Sequence, residues 1–95
     1  MRARNVAIVG AGLVGSGWAI VFARAGLAVR VYDPQPKIRD GFHAWADASL
    51  KEQEAASLAE SAADTLARMT VVDTLDEALE DATYIQESVF ERVDV

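Results

Sequence analysis

Ninety-five residues, 52% apolar and 25% charged with a net charge of −6, suit one small globular domain and exclude a disordered chain. There is no cysteine, which rules out disulfides and thiolate metal sites, and the lone His43 has no second imidazole with which to share a metal. Residues 1–40 carry six basic groups against two acids, and residues 41–95 three against thirteen. No basic stripe with interleaved aromatics exists, so nucleic acid is not an expected partner, and the acidic half reads as a solvated helical surface.

The first predicted element is Val6-Ala7-Ile8-Val9, short and β-branched like a buried parallel strand. From Val6 to Ala23 no residue is charged. That run is barely long enough to cross a bilayer, which takes about 20 residues, and Arg2 and Arg4 imitate the basic start of a signal peptide. A membrane segment does not explain four glycines at 10, 12, 15 and 17, nor the change to helical recurrence in Val14, Trp18, Val21, Phe22 and Ala25. A strand, a turn and a helix explain both. Gly10, Gly12 and Gly15 form G-x-G-x-x-G at the junction. The first lets the chain turn sharply, the second lets backbone approach a pyrophosphate, and the third lets helix pack close to strand. The helix then aims its free N–H groups and positive dipole end at the phosphates. Gly17 marks either another close contact or a glycine that packing tolerates.

Gly26 is the C-cap of this helix, and 27–32 reads as the second strand. Asp33 follows it, about 20 residues beyond the glycines, where an acid accepts hydrogen bonds from an adenosine ribose. A carboxylate there repels a 2′-phosphate and favours NAD over NADP, with Lys37 and Arg39 as the neighbouring cations that pull the other way. The bland alternative for Asp33 is a turn acid before Pro34. Pro34 is expected to open a helix running from Lys37 to about Leu58, with Ile38, Phe42, Trp45, Ala46, Ser49 and Leu50 along its buried side. Trp45 is expected to pack on the sheet or a neighbouring helix, and His43 to lie on the surface.

A shorter helix over 59–67 and a strand over 69–72 come next. Asp73 or Thr74 then caps a helix through Leu79, and 83–89 forms a fourth strand. The resulting order β-α-β-α-α-β-α-β predicts a parallel sheet of spatial order 3-2-1-4 with right-handed crossovers. Gln86, Glu87 and Glu91 put polar groups at the edge where such sheets bind ligands. From spacing alone, Glu91 fits equally a ligand contact and a helix-terminal acid.

Two stretches, VAIVGAGLVGSGWAIVFARAGLAVRVYDP and YIQESVFERVDV, together resemble the N-terminal NAD-binding domain of the 3-hydroxyacyl-CoA dehydrogenase family. The resemblance is nearest to its L-gulonate 3-dehydrogenase (lambda-crystallin) and L-carnitine dehydrogenase branches, and is loosest between residues 40 and 70. It implies an α/β fold, a truncated Rossmann-like open parallel sheet with helices on both faces. It also implies that Leu13, Val14 and Gly15 meet the pyrophosphate with Gly10 and Gly12, and that Asp33 holds the adenosine ribose. Glu91 would match a cofactor-contacting glutamate, with Ser88 and Val89 on the nicotinamide side. Phe90 stands where those branches usually carry proline.

The family's catalytic histidine and glutamate lie downstream, so no catalytic residue and no metal ligand is expected in this chain. The chain accordingly reads as the cofactor-binding part of a dehydrogenase of roughly 300 residues, without the helical substrate and dimerisation domain. The whole protein would be a cytoplasmic homodimer of fatty-acid-type metabolism, transferring hydride between NAD(H) and a small-molecule 3-hydroxy substrate. The contrasting possibility is a stand-alone nucleotide-binding or crystallin-like module without catalysis.

Overall fold

The computed structural model describes residues 5–55 and 61–88. Val6, Ala7 and Ile8 have no polar side chain to offer water, and all three are buried, so the strand that carries them, β1 (Asn5–Val9), is covered on both faces. It lies between β2 (Ala28–Tyr32) and β4 (Tyr84–Glu87), with β3 (Met69–Val71) beyond β2. Every pairing is parallel. Val6 stands opposite Val29 and Tyr84, and Ile8 opposite Val31 and Gln86. The sheet order is the one expected from the alternation of elements.

Strand alternation divides the core in two. Val6, Ile8, Val29 and Val31 point to the face covered by α1 (Leu13–Arg24), α2 (Pro36–Ala55) and α3 (Ala62–Ala67). Ala7 points to the other face, against Ala78 of α4 (Leu75–Leu79). On α2 the buried stripe is Phe42, Ala46 and Leu50, spaced by four as one side of a helix requires. Trp45 departs from expectation: it is partly exposed and meets Phe42 of its own helix at 6.1 Å between ring centroids. His43 is exposed, as expected.

The inward face of α1 is not the recurrence of its large side chains. Ser16, Ala19, Ile20 and Ala23 are buried, whereas Val14, Trp18, Val21 and Ala25 are exposed and Phe22 is half-buried. Apart from Ile20 these inward residues are small, in keeping with the close approach of helix and strand at Gly15. Trp18 instead stacks on Phe22 at 5.8 Å, and Phe22 meets Tyr84 at 5.4 Å. Tyr84 and Ile85 on the edge strand β4 are themselves largely exposed.

Helix ends follow local chemistry. Gly26 adopts φ 91°, and the N–H groups of Gly26 and Leu27 return to the carbonyls of Ala23 and Phe22, a left-handed glycine stop. α2 begins at Pro36 and not at Pro34, because the Asp33 carboxylate accepts the Gln35 N–H at 2.8 Å and holds Pro34 in a turn. Ser61 caps α3 and Thr74, of the two candidates, caps α4, each accepting an N–H three residues on. The expected boundary between α2 and α3 at Leu58 and Ala59 lies outside the described residues. β3 and β4 are shorter than expected, although Thr83 and Ser88 still donate backbone N–H groups to Asn5 and Val9. None of the described helices is long and apolar enough to cross a membrane.

Candidate functional site

The C-terminal ends of β1, β2 and β3 meet at one edge of the sheet, where the turn into α1 begins. Gly10 leaves β1 with φ 102°, a conformation that a side chain disfavours, and its N–H is fixed on the Tyr32 carbonyl at 2.7 Å. Gly15, in the first turn of α1, rests against Gly10. A Cβ at Gly15 would collide with the Gly10 carbonyl oxygen and come within 3.4 Å of the Ser88 Cβ. The helix can start this close to the strand only without that carbon. At Gly12, by contrast, a Cβ would meet nothing within 4 Å, so the turn is open on the side where a ligand would approach. Gly17 is equally open, which makes it a tolerated glycine and not a packing contact.

α1 also begins differently from α3 and α4. Ser61 and Thr74 supply side-chain caps, and Asp64, Asp76 and Glu77 place acids in those first turns. α1 has Gly12 at its N-cap, no capping side chain and no acid in its first turn. Its leading N–H groups are therefore left for an external acceptor, and the helix dipole makes an anion the favoured one. Ser16 is not that acceptor: its hydroxyl donates to the Ala11 carbonyl at 2.8 Å.

Asp33 closes the arrangement from β2. It is buried, and its two carboxylate oxygens accept the N–H groups of Ala11 and Gln35, both at 2.8 Å. The carboxylate thus fixes the phosphate turn and the loop after β2 in one relation. Each oxygen has a second lone pair, enough to accept ribose hydroxyls as well. Arg39, on the first turns of α2, donates from Nη1 to the Asp33 carbonyl at 2.7 Å. Its Cζ lies 5.7 Å from the Tyr32 ring centroid, and its Nε is 3.9 Å from Asp73 Oδ1. Beside the turn, a groove of about 300 Å³ is lined by Gly12, Ser16, Lys37, Gly41 and Trp45, among others.

Residues 5–95 match the family model for the 3-hydroxyacyl-CoA dehydrogenase NAD binding domain. The chain belongs to this family. It is 38% identical over 92 residues to L-carnitine dehydrogenase of Streptomyces coelicolor, covering 97% of this chain and 28% of that protein. Rabbit (Oryctolagus cuniculus) lambda-crystallin is 38% identical over 96 residues, covering 98% and 30%. The solved (S)-3-hydroxybutyryl-CoA dehydrogenase of Ralstonia eutropha superposes with a TM-score of 0.84 at 28% identity, covering 97% and 33%. The chain thus spans less than a third of these relatives' length.

As an NAD-binding domain of this family, it brings together Gly10, Gly12, Gly15, Asp33 and Ser88 around one turn. Leu13 and Val14 are the first two residues of α1, with the Val14 side chain exposed. Val89, Phe90 and Glu91 lie outside the described residues. No group of three acids or histidines suited to a metal occurs among the described residues. Two features escaped the sequence reading. One is the Ala11 N–H as the partner of Asp33, a backbone group that leaves no trace in residue type. The other is Arg39 as a fixed group, whose only signal was a cation at the start of a helix, where the dipole disfavours it.

Proposed function

We propose that this chain is the cofactor-holding part of an NAD-dependent oxidoreductase acting on the CH–OH group of a 3-hydroxy acid or 3-hydroxyacyl-CoA. The observation that carries this reading is the bond from Ala11 N–H to Asp33, which joins a pyrophosphate-sized opening to a ribose acceptor in one rigid unit. In this reading the α1 N-terminus, at Gly12, Leu13, Val14 and Gly15, takes the pyrophosphate, and Asp33 takes the adenosine ribose. Ser88, Val89 and Glu91 border the nicotinamide side. Bound NAD supplies the hydride acceptor. The chain's own part is to bind and orient it, and to set its preference against a 2′-phosphate through the Asp33 charge.

The proton-accepting histidine and its supporting glutamate belong to the longer protein, as do the substrate pocket and a helical dimerisation domain. The 95-residue chain alone is therefore expected to bind NADH without turnover. For the longer protein we propose a cytoplasmic homodimer in fatty-acid-type metabolism. A second reading, a binding module without chemistry, has the likeness to lambda-crystallin in its favour. The two separate on whether the complete reading frame oxidises a 3-hydroxy substrate.

The binding site is tested by titrating NADH and NADPH while following the fluorescence of Trp18 and Trp45, the latter beside Gly12 in the groove. Asp33→Ala is expected to weaken NADH at least about tenfold, since a charged acceptor and a turn contact are lost together. It should weaken NADPH much less, so that the ratio narrows. Unchanged NADH affinity in the variant would refute the assignment.

A further inference from the structure

We propose that Arg39 recognises the adenine base, its guanidinium held between the β2–α2 and β3–α4 turns. The inference rests on the reading that the adenosine ribose lies at Asp33.

Arg39 stands in the opening turns of α2, where the positive end of the helix dipole disfavours a cation. An arginine there would ordinarily extend into solvent. This one keeps only 17% of its side chain exposed, so several flexible bonds have been immobilised at an entropic cost. The partners that hold it belong to two different strand ends: Tyr32 and the Asp33 carbonyl at the end of β2, and Asp73 just past β3. The guanidinium is thereby fixed at the C-terminal edge of the sheet, between the two turns and directly beside the ribose acceptor.

Position and chemistry agree on a base. A ligand with its pyrophosphate on α1 and its ribose on Asp33 leads its base outward past β2, toward the turn after β3. A guanidinium is planar and weakly hydrated, and stacks on aromatic faces, as its place over Tyr32 already illustrates. A purine offers a further such face. Asp73 lies 3.9 Å from Arg39 Nε and counters the guanidinium charge, which suits an uncharged base better than a second phosphate.

The experiment compares the 95-residue chain with Arg39→Met and Arg39→Lys. Four probes are titrated: NADH, ADP-ribose, reduced nicotinamide mononucleotide and NADPH. Methionine retains the apolar stem, whereas lysine retains the charge and loses the plane. Both variants should bind NADH and ADP-ribose about 5- to 30-fold more weakly, with the mononucleotide unaffected.

Full recovery of affinity by Arg39→Lys would overturn a planar contact in favour of a charge or a loop tie. Equal loss of the mononucleotide would assign Arg39 to holding the turns together, and loss confined to NADPH would assign it to a 2′-phosphate. Unchanged NADH and ADP-ribose affinity in both variants would remove Arg39 from the site. Should the methionine variant not fold, the lysine variant alone decides. A wild-type chain that binds neither NADH nor ADP-ribose would instead refute the ribose assignment, and this proposal with it.

Discussion

Two glycines in one helix give the sharpest test of how the phosphate turn is built. In an ordinary helix position, Gly→Ala gains about 1 kcal/mol by removing backbone freedom from the unfolded chain. At Gly17 the added methyl meets nothing within 4 Å, so most of that gain survives. Gly17→Ala should raise Tm by roughly 2–8 °C for a domain of this size. At Gly15 the same carbon runs into the Gly10 carbonyl oxygen. That obstacle is backbone, in a turn at φ 102° whose N–H is held by Tyr32, and it cannot swing aside. Overpacking costs about 1–3 kcal/mol, and a rigid neighbour puts this case at the upper end. After the propensity gain, a net loss of about 2 kcal/mol remains, or roughly 8–16 °C in Tm. NADH affinity should fall too, because α1 must shift away from the turn. Thermal unfolding of the two variants beside the wild type measures both signs at once. A Gly15→Ala protein as stable as wild type, or a Gly17→Ala protein equally damaged, would refute the reasoning.

Two further substitutions probe α4, the helix alone on its face of the sheet among the described elements. Thr74→Ala removes the acceptor of the Glu77 N–H and the donor to the Glu77 carboxylate, and should cost about 1 kcal/mol in urea unfolding; Thr74→Ser should retain most of it, and a null result for alanine would deny the cap its role. Arg30→Met removes two hydrogen bonds from the β2 guanidinium to the Glu77 and Glu80 carbonyls, at 3.0 and 2.7 Å. A loss of about 1–2 kcal/mol is expected, with faster hydrogen exchange confined to α4, and uniform protection would contradict it.

The sheet order was legible because the strands are short runs, β-branched in β1 and in part of β2 and β3, that alternate with helical segments. The caps at Gly26 and Thr74 were legible because both act through local chemistry, whereas Ser61, placed inside the helix expected over 59–67, was missed. The buried face of α1 was not. Trp18 and Val14 carry more apolar surface than Ala19 and Ala23, yet the closeness enforced at Gly15 favours small residues on the inner side. Pro34 misled in a related way. A proline fits the first turn of a helix, but the Asp33 side chain had already committed that position to a turn. Of the site, the glycines and Asp33 were readable from spacing. The backbone partner of Asp33 and the immobilised Arg39 depend on contacts between strand ends, which no local pattern encodes.

The pairing of β1 with β4 joins Val6 to Tyr84, across most of the chain. Contacts between such distant segments form late, after the loop-closure entropy has been met, whereas β1, α1 and β2 are neighbours in sequence and can associate early. β4 leads into Ser88, whose N–H bonds to Val9 and whose side chain borders Gly15. One wall of the proposed nucleotide site therefore depends on the longest-range pairing in the sheet. A ligand that touches this wall binds the docked strand and not the detached one. By linkage it holds β4 in place, and fraying of β4 loosens its grip on the ligand to the same degree.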